Sequence, residues 1–306
     1  MKTLSVRLFG KLDVYYGNDC VTDCFTSFKA LELFCYLLLH RNRPHTRESI
    51  AALLWNDVST SLARKYLRKV IWQLQQILGG ADVRIIIVES EWIYLNREAQ
   101  LWLDVITVEQ AFVNTYELPG HALDEQAARS LQAAVQLYRG ALLEGWYQDW
   151  CLYEREKWQN MYFMMLDKLI VYCTKHDEYD SGISYGMQLL HFDQTNELAH
   201  RRLMRLHHLR GDRTTAMHQY QSCVAALQRE LDMKPMKETV DLYEQICTDR
   251  LGDIVDRSIG TAPGVQIGPA KLQDLLQWLK QVQAHLSRIQ TEVQQKIQLV
   301  EQTLEE

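Results

Sequence analysis

Residues 61–74, SLARKYLRKVIWQL, place four basic side chains within six consecutive positions. These are Arg64, Lys65, Arg68 and Lys69. Lysine and arginine neutralise the phosphates of nucleic acid, and arginine can also donate two hydrogen bonds to a guanine edge in the major groove. The same residue types occur on solvated helix faces that bind nothing, so the placement of the neighbouring apolar residues decides what this segment can do.

A helix over residues 60–78 separates the basic side chains from an apolar stripe. We take Leu67 as the inward direction and advance about 100° per residue. The predicted core stripe consists of Ala63, Leu67, Val70, Ile71, Leu74 and Leu78. The predicted outward face, named here the basic ridge, consists of Lys65, Lys69, Trp72 and Gln76, with Arg68 and Ser61 beside them and Arg64 near the boundary. Such a ridge can enter the major groove of DNA, and its alternative is a merely solvated face.

The positive charge of the chain is local. The 306 residues have a formal net charge of −6, which argues against a generally basic coat for nucleic acid. Residues 29–72 nevertheless hold eight basic and three acidic side chains, whereas residues 113–306 are acidic overall. The basic ridge therefore lies in the locally positive part of the sequence.

The predicted elements around the ridge have the order of a winged helix. Short alternating strands come first, with a hairpin turn near Gly17. A buried helix follows over residues 29–41, and a short helix begins near Thr46, whose side chain suits an N-cap. The ridge helix is the third helix. Apolar runs on both sides of residues 89–91 then predict a β-hairpin.

Beyond about residue 123 the strand signal ends and helical patterns continue to about residue 250. Tyr179-xx-Gly182 recurs 34 residues later as Arg213-xx-Ala216. Thirty-four residues is the tetratricopeptide period, and the small residues suit the close approach of paired helices.

A cluster of large aromatic residues opens this helical region. Its members are Trp146, Tyr147, Trp150, Tyr153 and Trp158. We expect them to close the gap between two domains. The alternative is that they line a groove for a ligand or partner on stacked helices.

The sequence predicts four segments: a winged-helix domain over 1–112, helical repeats over 113–252, a Gly- and Pro-rich linker over 253–270 and an amphipathic helix over 271–306. The last segment has apolar residues at seven-residue spacing for about four heptads, which is enough for a coiled coil. We therefore expect a homodimer through this helix. The alternative is that the helix folds back on its own helical domain.

Several segments resemble one family of proteins. RLFGKLDV, KALELFCYLLLHRNRPHTRESIAALLW, SLARKYLRKVIWQLQQILGG and LWLDVITVEQAF are similar to the OmpR-type winged helix of SARP-type bacterial regulators. Residues 141–158, ALLEGWYQDWCLYEREKW, and residues 204–235 resemble the bacterial transcriptional activation domain that follows it in those proteins. The resemblance covers about residues 4–247. It implies a mainly α-helical fold with small β elements, in which a winged helix-turn-helix precedes a tetratricopeptide-like domain.

The resemblance also implies roles for particular segments. Residues 60–78 correspond to the recognition helix, and residues 84–95 correspond to the wing that reaches the minor groove or the DNA backbone. Arg64 and Arg68 match the family's Ala-Arg-x-x-Leu-Arg pattern. We assign DNA contact to Ser61, Arg64, Lys65, Arg68, Lys69, Trp72 and Arg84.

Some positions depart from the family pattern. Lys65 and Tyr66 replace the Asn or Arg often found there, and Trp72 stands where a small polar residue is expected. Glu89 and Glu91 place two carboxylates at the tip of the wing, where phosphate would be repelled. These departures leave the target sequence open.

Other kinds of site are not indicated. The first residues lack the apolar core of a signal peptide and no stretch approaches a membrane span, so we expect a cytoplasmic protein. The seven cysteines form no CxxC pair, and His200 and His207 lie two helical turns apart, too far to share a metal ion. Nucleotide-binding and hydrolase motifs are missing, so we expect neither an enzyme nor a cofactor.

The sequence thus predicts a transcriptional regulator, an activator that binds double-stranded promoter DNA through residues 60–78. Its helical domain would contact RNA polymerase or an effector. The alternative is an assembly or scaffold protein that uses both modules for protein contacts, which is suggested by the acidic net charge, the acidic wing tip and Trp72.

Overall fold

A computed structural model describes residues 3–25, 27–78, 84–96 and 98–249. All of them belong to one unit, Met1–Ile259, and the remaining unit is Gly260–Glu306. The predicted linker, 253–270, and the predicted heptad helix, 271–306, lie outside the described residues.

Three short strands begin the chain: β1, Leu4–Arg7; β2, Asp13–Tyr16; and β3, Asp19–Cys20. Each pairs with the next in antiparallel register. Gly17, in the turn between β2 and β3, has φ +64°, which glycine adopts without the steric cost that a side chain would add. Leu4 and Val6 are buried, as their alternate spacing predicts. The predicted hairpin is therefore confirmed.

Three helices and a short strand follow: α1, Phe28–Leu39; β4, His45–Thr46; α2, Arg47–Leu54; and α3, Thr60–Leu78. α1 is buried over most of its surface, as its composition predicts. The Thr46 side chain caps α2 by accepting a hydrogen bond from the Ser49 N–H at 3.1 Å. The three helices confirm the predicted order, with the end of α1 two residues before the predicted residue 41.

The wing and a last strand complete this part: β5, Ile86–Val88; β6, Trp92–Leu95; and β7, Leu101–Leu103. β6 pairs antiparallel with β5 and with β4, so the hairpin is joined to the strand directly before α2. β7 returns to the first sheet, parallel to β1, and gives the strand order β3-β2-β1-β7. The predicted winged-helix fold is confirmed.

The described chain after β7 is mainly helical: α4, Asp104–Thr115; α5, Glu125–Leu137; α6, Asp149–Lys175; α7, Tyr179–Phe192; α8, Glu197–Leu209; α9, Arg213–Leu231; and α10, Lys237–Thr248. Each helix packs on its neighbour in sequence, and α8 also contacts α6 and α10. Within the described ranges, no helix is both long and apolar enough to cross a lipid bilayer.

Small residues stand where α7 meets α8. A Cβ atom added at Gly182 would lie 3.1 Å from Leu206 Cδ1, and one added at Gly186 would lie 2.7 Å from Leu203 Cδ2. The second distance is far below van der Waals contact, so a side chain there would force the Leu203 side chain or the helices to shift. The close approach predicted from the repeat at Gly182 is confirmed.

Two tryptophans join α6 and its preceding loop to α1. The Trp150 Nε1 atom donates a hydrogen bond to Glu32 Oε1 at 3.1 Å, and Glu32 is buried. The ring of Trp146 packs on Phe28 with 4.8 Å between the ring centroids. Lys29 Nζ forms an ion pair with the other oxygen of Glu32 at 2.9 Å. The buried carboxylate is therefore shared between the winged helix and the helical region.

The aromatic cluster does not act as one set. Trp158 packs edge-on against Phe9 at 5.5 Å, and so it also closes the gap between the two regions. Tyr147 and Tyr153 are 78% and 70% exposed. The expectation is confirmed for the three tryptophans and wrong for the two tyrosines, because these tyrosines lie on the solvent side of the loop and of the first turn of α6.

A buried carboxylate fixes the end of β1 to the start of α4. Asp104 Oδ2 accepts hydrogen bonds from the backbone N–H groups of Leu8 at 2.8 Å and Phe9 at 3.0 Å, and Oδ1 accepts one from Val105 at 2.8 Å. Burial raises the pKa of Asp104 to about 6, although these hydrogen bonds act in the opposite direction.

Candidate nucleic-acid interface

The two faces of α3 differ in burial. The buried residues are Ala63, Leu67, Val70, Ile71, Leu74 and Leu78. Contacts with α1 and α2 cover this stripe. The exposed residues include Ser61, Arg64, Lys65, Arg68, Lys69 and Trp72. Helical periodicity therefore predicted correctly which side chains of α3 face solvent, and the basic ridge is accessible.

Arg64 lies at the edge of the ridge, beside α2. Its Nη2 atom donates a hydrogen bond to Glu48 Oε1 at 2.9 Å, and both side chains are mainly exposed. An exposed ion pair contributes only about 0–1 kcal/mol to stability. The pair nevertheless occupies one guanidinium of the ridge and adds a carboxylate next to it. This contact is not predicted by the sequence pattern, because the two residues lie on different helices.

Trp72 is the most unusual member of the ridge. It is 61% exposed, which leaves its indole ring available to a bound partner. Tyr66, one of the other departures from the family pattern, packs on Trp55 with 5.9 Å between the ring centroids. Tyr66 is therefore a boundary residue between α3 and the end of α2, whereas Trp72 remains on the solvent side.

The wing tip is held against the start of α2. The Arg47 backbone N–H donates to the carbonyl oxygen of Glu91 at 2.9 Å, and Arg47 Nη1 donates to that of Glu89 at 3.3 Å. The Tyr94 hydroxyl donates to Glu89 Oε1 at 2.7 Å, and this hydrogen bond raises the pKa of Tyr94. The Glu89 carboxylate is thus engaged within the wing, while Glu91 is exposed beside α3.

A groove of about 780 Å³ lies between the start of α2, α3 and the wing tip. It is lined by Thr46, Arg47, Glu48, Ser61, Arg64, Leu67, Arg68, Ser90 and Glu91. Three arginines face two glutamates in this groove. Polar and positively charged walls of this kind suit a phosphate backbone, although the two carboxylates reduce the net charge.

The groove brings together only part of the predicted set. Ser61, Arg64 and Arg68 line it, and the rest of the ridge extends along α3. Arg84 is exposed at the opposite end of β5 from the wing tip, where its carbonyl oxygen accepts a hydrogen bond from Asn96 Nδ2 at 2.9 Å. Arg47 also lines the groove and is not among the residues predicted from the sequence. Its place in the basic segment 29–72 was the available signal.

Comparisons with known proteins agree with this architecture. Residues 104–247 match the family described as "Bacterial transcriptional activator domain". The chain is similar to the solved structure of Mycobacterium tuberculosis EmbR in complex with a low-affinity phosphopeptide, with a TM-score of 0.61 and 20% sequence identity. The match covers 82% of this chain and 66% of that one, so this chain spans just under two thirds of its length. No curated protein matches the chain.

The two matches have different weight. At 20% identity, the similarity to EmbR concerns the fold alone. The family match concerns sequence, and its residues begin at α4, directly after the winged helix. The SARP-type arrangement predicted from the sequence, a winged helix followed by a bacterial transcriptional activator domain, is therefore confirmed.

Proposed function

Residues 104–247 belong to the bacterial transcriptional activator domain family, and from this premise we propose that the chain is a transcriptional regulator that binds double-stranded promoter DNA. The contact is made by α3 in the major groove, with the β5–β6 wing beside it. Ser61, Lys65, Arg68 and Lys69 contact phosphates or base edges.

The observation that carries this proposal is the accessible basic ridge. Lys65, Arg68 and Lys69 project from one helix whose opposite face is buried in a winged-helix core. A recognition helix needs this combination, because the core fixes its direction while the charged side chains remain free to meet phosphates. Arg68 also lines the groove beside the wing, where a guanidinium can reach both backbone and base edges.

The helical domain and the C-terminal segment complete the proposal. We propose that α4–α10 contact RNA polymerase or an effector protein, and that residues 271–306 pair two protomers. Pairing would raise the affinity for two half-sites through effective concentration, even if each recognition helix binds weakly. Measurement of molar mass in solution, with and without residues 253–306, tests the pairing: a dimer that becomes a monomer on truncation is expected, and the same number of protomers in both proteins contradicts it.

A second candidate function is favoured by Trp72 and Glu91. An indole ring and a carboxylate beside a basic helix also suit a protein partner, and a scaffold protein would use α3 in this way. In that case Trp72→Ala would abolish partner binding, and removal of the ridge charges would leave any affinity for DNA unchanged.

The test is a selection of bound fragments from a genomic DNA library by the purified full-length chain. We expect enrichment of a defined sequence by the wild-type chain and none by the variant Lys65→Ala, Arg68→Ala, Lys69→Ala. The substituted side chains are exposed, so the variant should fold normally, which circular dichroism can check. Equal enrichment by both proteins would contradict DNA contact through the basic ridge, and enrichment by neither would favour the scaffold function.

A further inference from the structure

Three arginines lie on one face of α8, away from the basic ridge. Arg201 and Arg202 stand four and three residues before Arg205, so all three side chains leave the helix within about one turn of each other. Like charges at this spacing repel, and a protein keeps such a cluster at a cost unless negative groups offset it.

Two of these arginines have partners on the neighbouring helices. Arg201 Nη1 donates a hydrogen bond to Thr239 Oγ1 of α10 at 2.8 Å. Arg202 Nε donates to Asp167 Oδ1 of α6 at 3.2 Å. On a helical projection Arg205 leaves α8 between these two directions. Its side chain therefore leaves α8 toward the space between α6 and α10, both of which contact α8, and we name this space the furrow.

Arg205 is half-buried, yet among the described residues no group accepts a hydrogen bond from it and no carboxylate pairs with it. Burial lowers the pKa of its guanidinium, and the charges of Arg202 and Arg201 lower it further. Arg155 shows the usual arrangement of a half-buried arginine, because it donates to three backbone carbonyl groups. Among the described residues, the nitrogens of Arg205 do not belong to the fully buried side-chain atoms that lack a hydrogen-bond partner. Because they have no partner either, they must be accessible to solvent.

We propose that the furrow over Arg205 binds an oxyanion, a phosphate or carboxylate group carried by a small molecule. A guanidinium presents two parallel N–H groups to such a ligand, and Arg201 adds positive potential from a position fixed by Thr239. The charge of Arg202 is offset by its ion pair with Asp167. A ligand can form an ion pair with Arg205 without displacing a carboxylate of the described residues. This site lies on the helical domain and goes beyond the proposed binding of DNA.

The charge of the surroundings selects a small anion over a nucleic acid. Residues 113–306 are acidic overall, so a long polyanion is repelled from this domain. A single phosphate or carboxylate group is affected mainly by nearby charges, where three arginines outnumber the carboxylates of Asp167 and Glu197. The site therefore fits an anionic metabolite as effector.

The experiment measures thermal unfolding of the full chain at constant ionic strength while sodium chloride is replaced by sodium phosphate or by sodium succinate. A ligand that binds the folded state raises the midpoint of unfolding in a saturable way. We expect saturation with at least one of the two anions, and the arm that saturates identifies phosphate or carboxylate as the ligand group.

Three variants locate the effect. Arg205→Gln should lower the affinity for the anion by at least tenfold. Arg205→Lys keeps the charge and loses the paired N–H groups, so it should lower the affinity less. Arg129→Gln, which removes an exposed arginine from α5, should behave as the wild type. All three retain α3, so any anion bound by the basic ridge contributes equally to each of them.

Two results would overturn the proposal: no saturable rise in either anion, or the same rise in Arg205→Gln as in the wild type. A purely structural role predicts another pattern, in which Arg205→Gln lowers the midpoint in chloride alone. We expect that midpoint to be unchanged or raised, because the substitution removes a half-buried charge that lacks a partner among the described residues.

Discussion

The hydrogen bond between Trp150 and Glu32 allows the junction between the winged helix and the helical region to be tested. In Trp150→Phe the Glu32 carboxylate keeps Lys29 but loses the indole N–H at 3.1 Å. A hydrogen bond to a charged group contributes about 1.5–3 kcal/mol, and the phenyl ring keeps most of the packing on Tyr36. We therefore expect the free energy of unfolding to fall by about 2–3 kcal/mol, since Glu32 is only 1% exposed and water cannot replace the donor.

The assay is urea unfolding followed by circular dichroism, with the free energy obtained by linear extrapolation. Tyr153→Phe is the matched control, because that side chain is 70% exposed and the change should cost less than about 0.5 kcal/mol. Glu32→Gln completes a double-mutant cycle, in which we expect a coupling energy of about 1–2 kcal/mol with Trp150→Phe. A loss below about 0.5 kcal/mol in Trp150→Phe, or additive effects in the cycle, would refute the reasoning.

Three further predictions follow from other contacts. Glu48→Gln should change the free energy of unfolding by less than about 1 kcal/mol and tighten DNA binding several-fold, because it frees Arg64 and removes a carboxylate from the groove. Fluorescence anisotropy with the selected DNA measures the affinity, and an unchanged or weaker affinity would contradict the prediction. Asp104 has a folded pKa of about 6, raised above its unfolded value, so its stabilising contribution is complete below about pH 4 and is lost as the pH rises through 6. The unfolding free energy of the wild type should therefore fall by about 2–2.5 kcal/mol relative to Asp104→Asn between pH 4 and pH 7, and parallel pH profiles would disprove this. Gly120→Ala should lower the free energy of unfolding in urea by about 1–3 kcal/mol, because its Cβ would lie 2.6 Å from the Lys168 carbonyl oxygen. An unchanged free energy would contradict this and would mean that α6 shifts to accommodate the methyl group.

Local patterns predicted the fold well because each element carries its own period. The apolar positions of α3 repeat with the helical period, and all six predicted members of its core stripe are buried. Thr46 signalled the start of α2, and the Gly182 and Ala216 repeat signalled the helix pairs. These signals are spacings along the sequence, either within one element or between repeated units, so no tertiary information was needed.

Contacts between distant residues could not be predicted in the same way. The ion pair between Glu48 and Arg64 depends on the crossing of α2 and α3, and the groove depends on how the wing tip meets Arg47. No pattern in the sequence distinguishes Arg205 from other basic residues. Its unusual position follows only from the packing of α6 and α10 on α8. The exposure of Tyr153 likewise depends on which side of α6 meets the winged helix.

The salt dependence of DNA affinity tests the central claim most directly. The ridge variant is Lys65→Ala, Arg68→Ala, Lys69→Ala, and the control variant loses the same charge from the helical domain through alanine at Arg129, Lys234 and Lys237. We plot the logarithm of the association constant for the selected DNA against the logarithm of salt concentration. The slope of this plot is negative, and it should be less steep by roughly 2–3 in the ridge variant, because about three phosphate contacts are lost. The control variant should keep the wild-type slope. An equal slope in the wild type and the ridge variant would contradict DNA binding by α3.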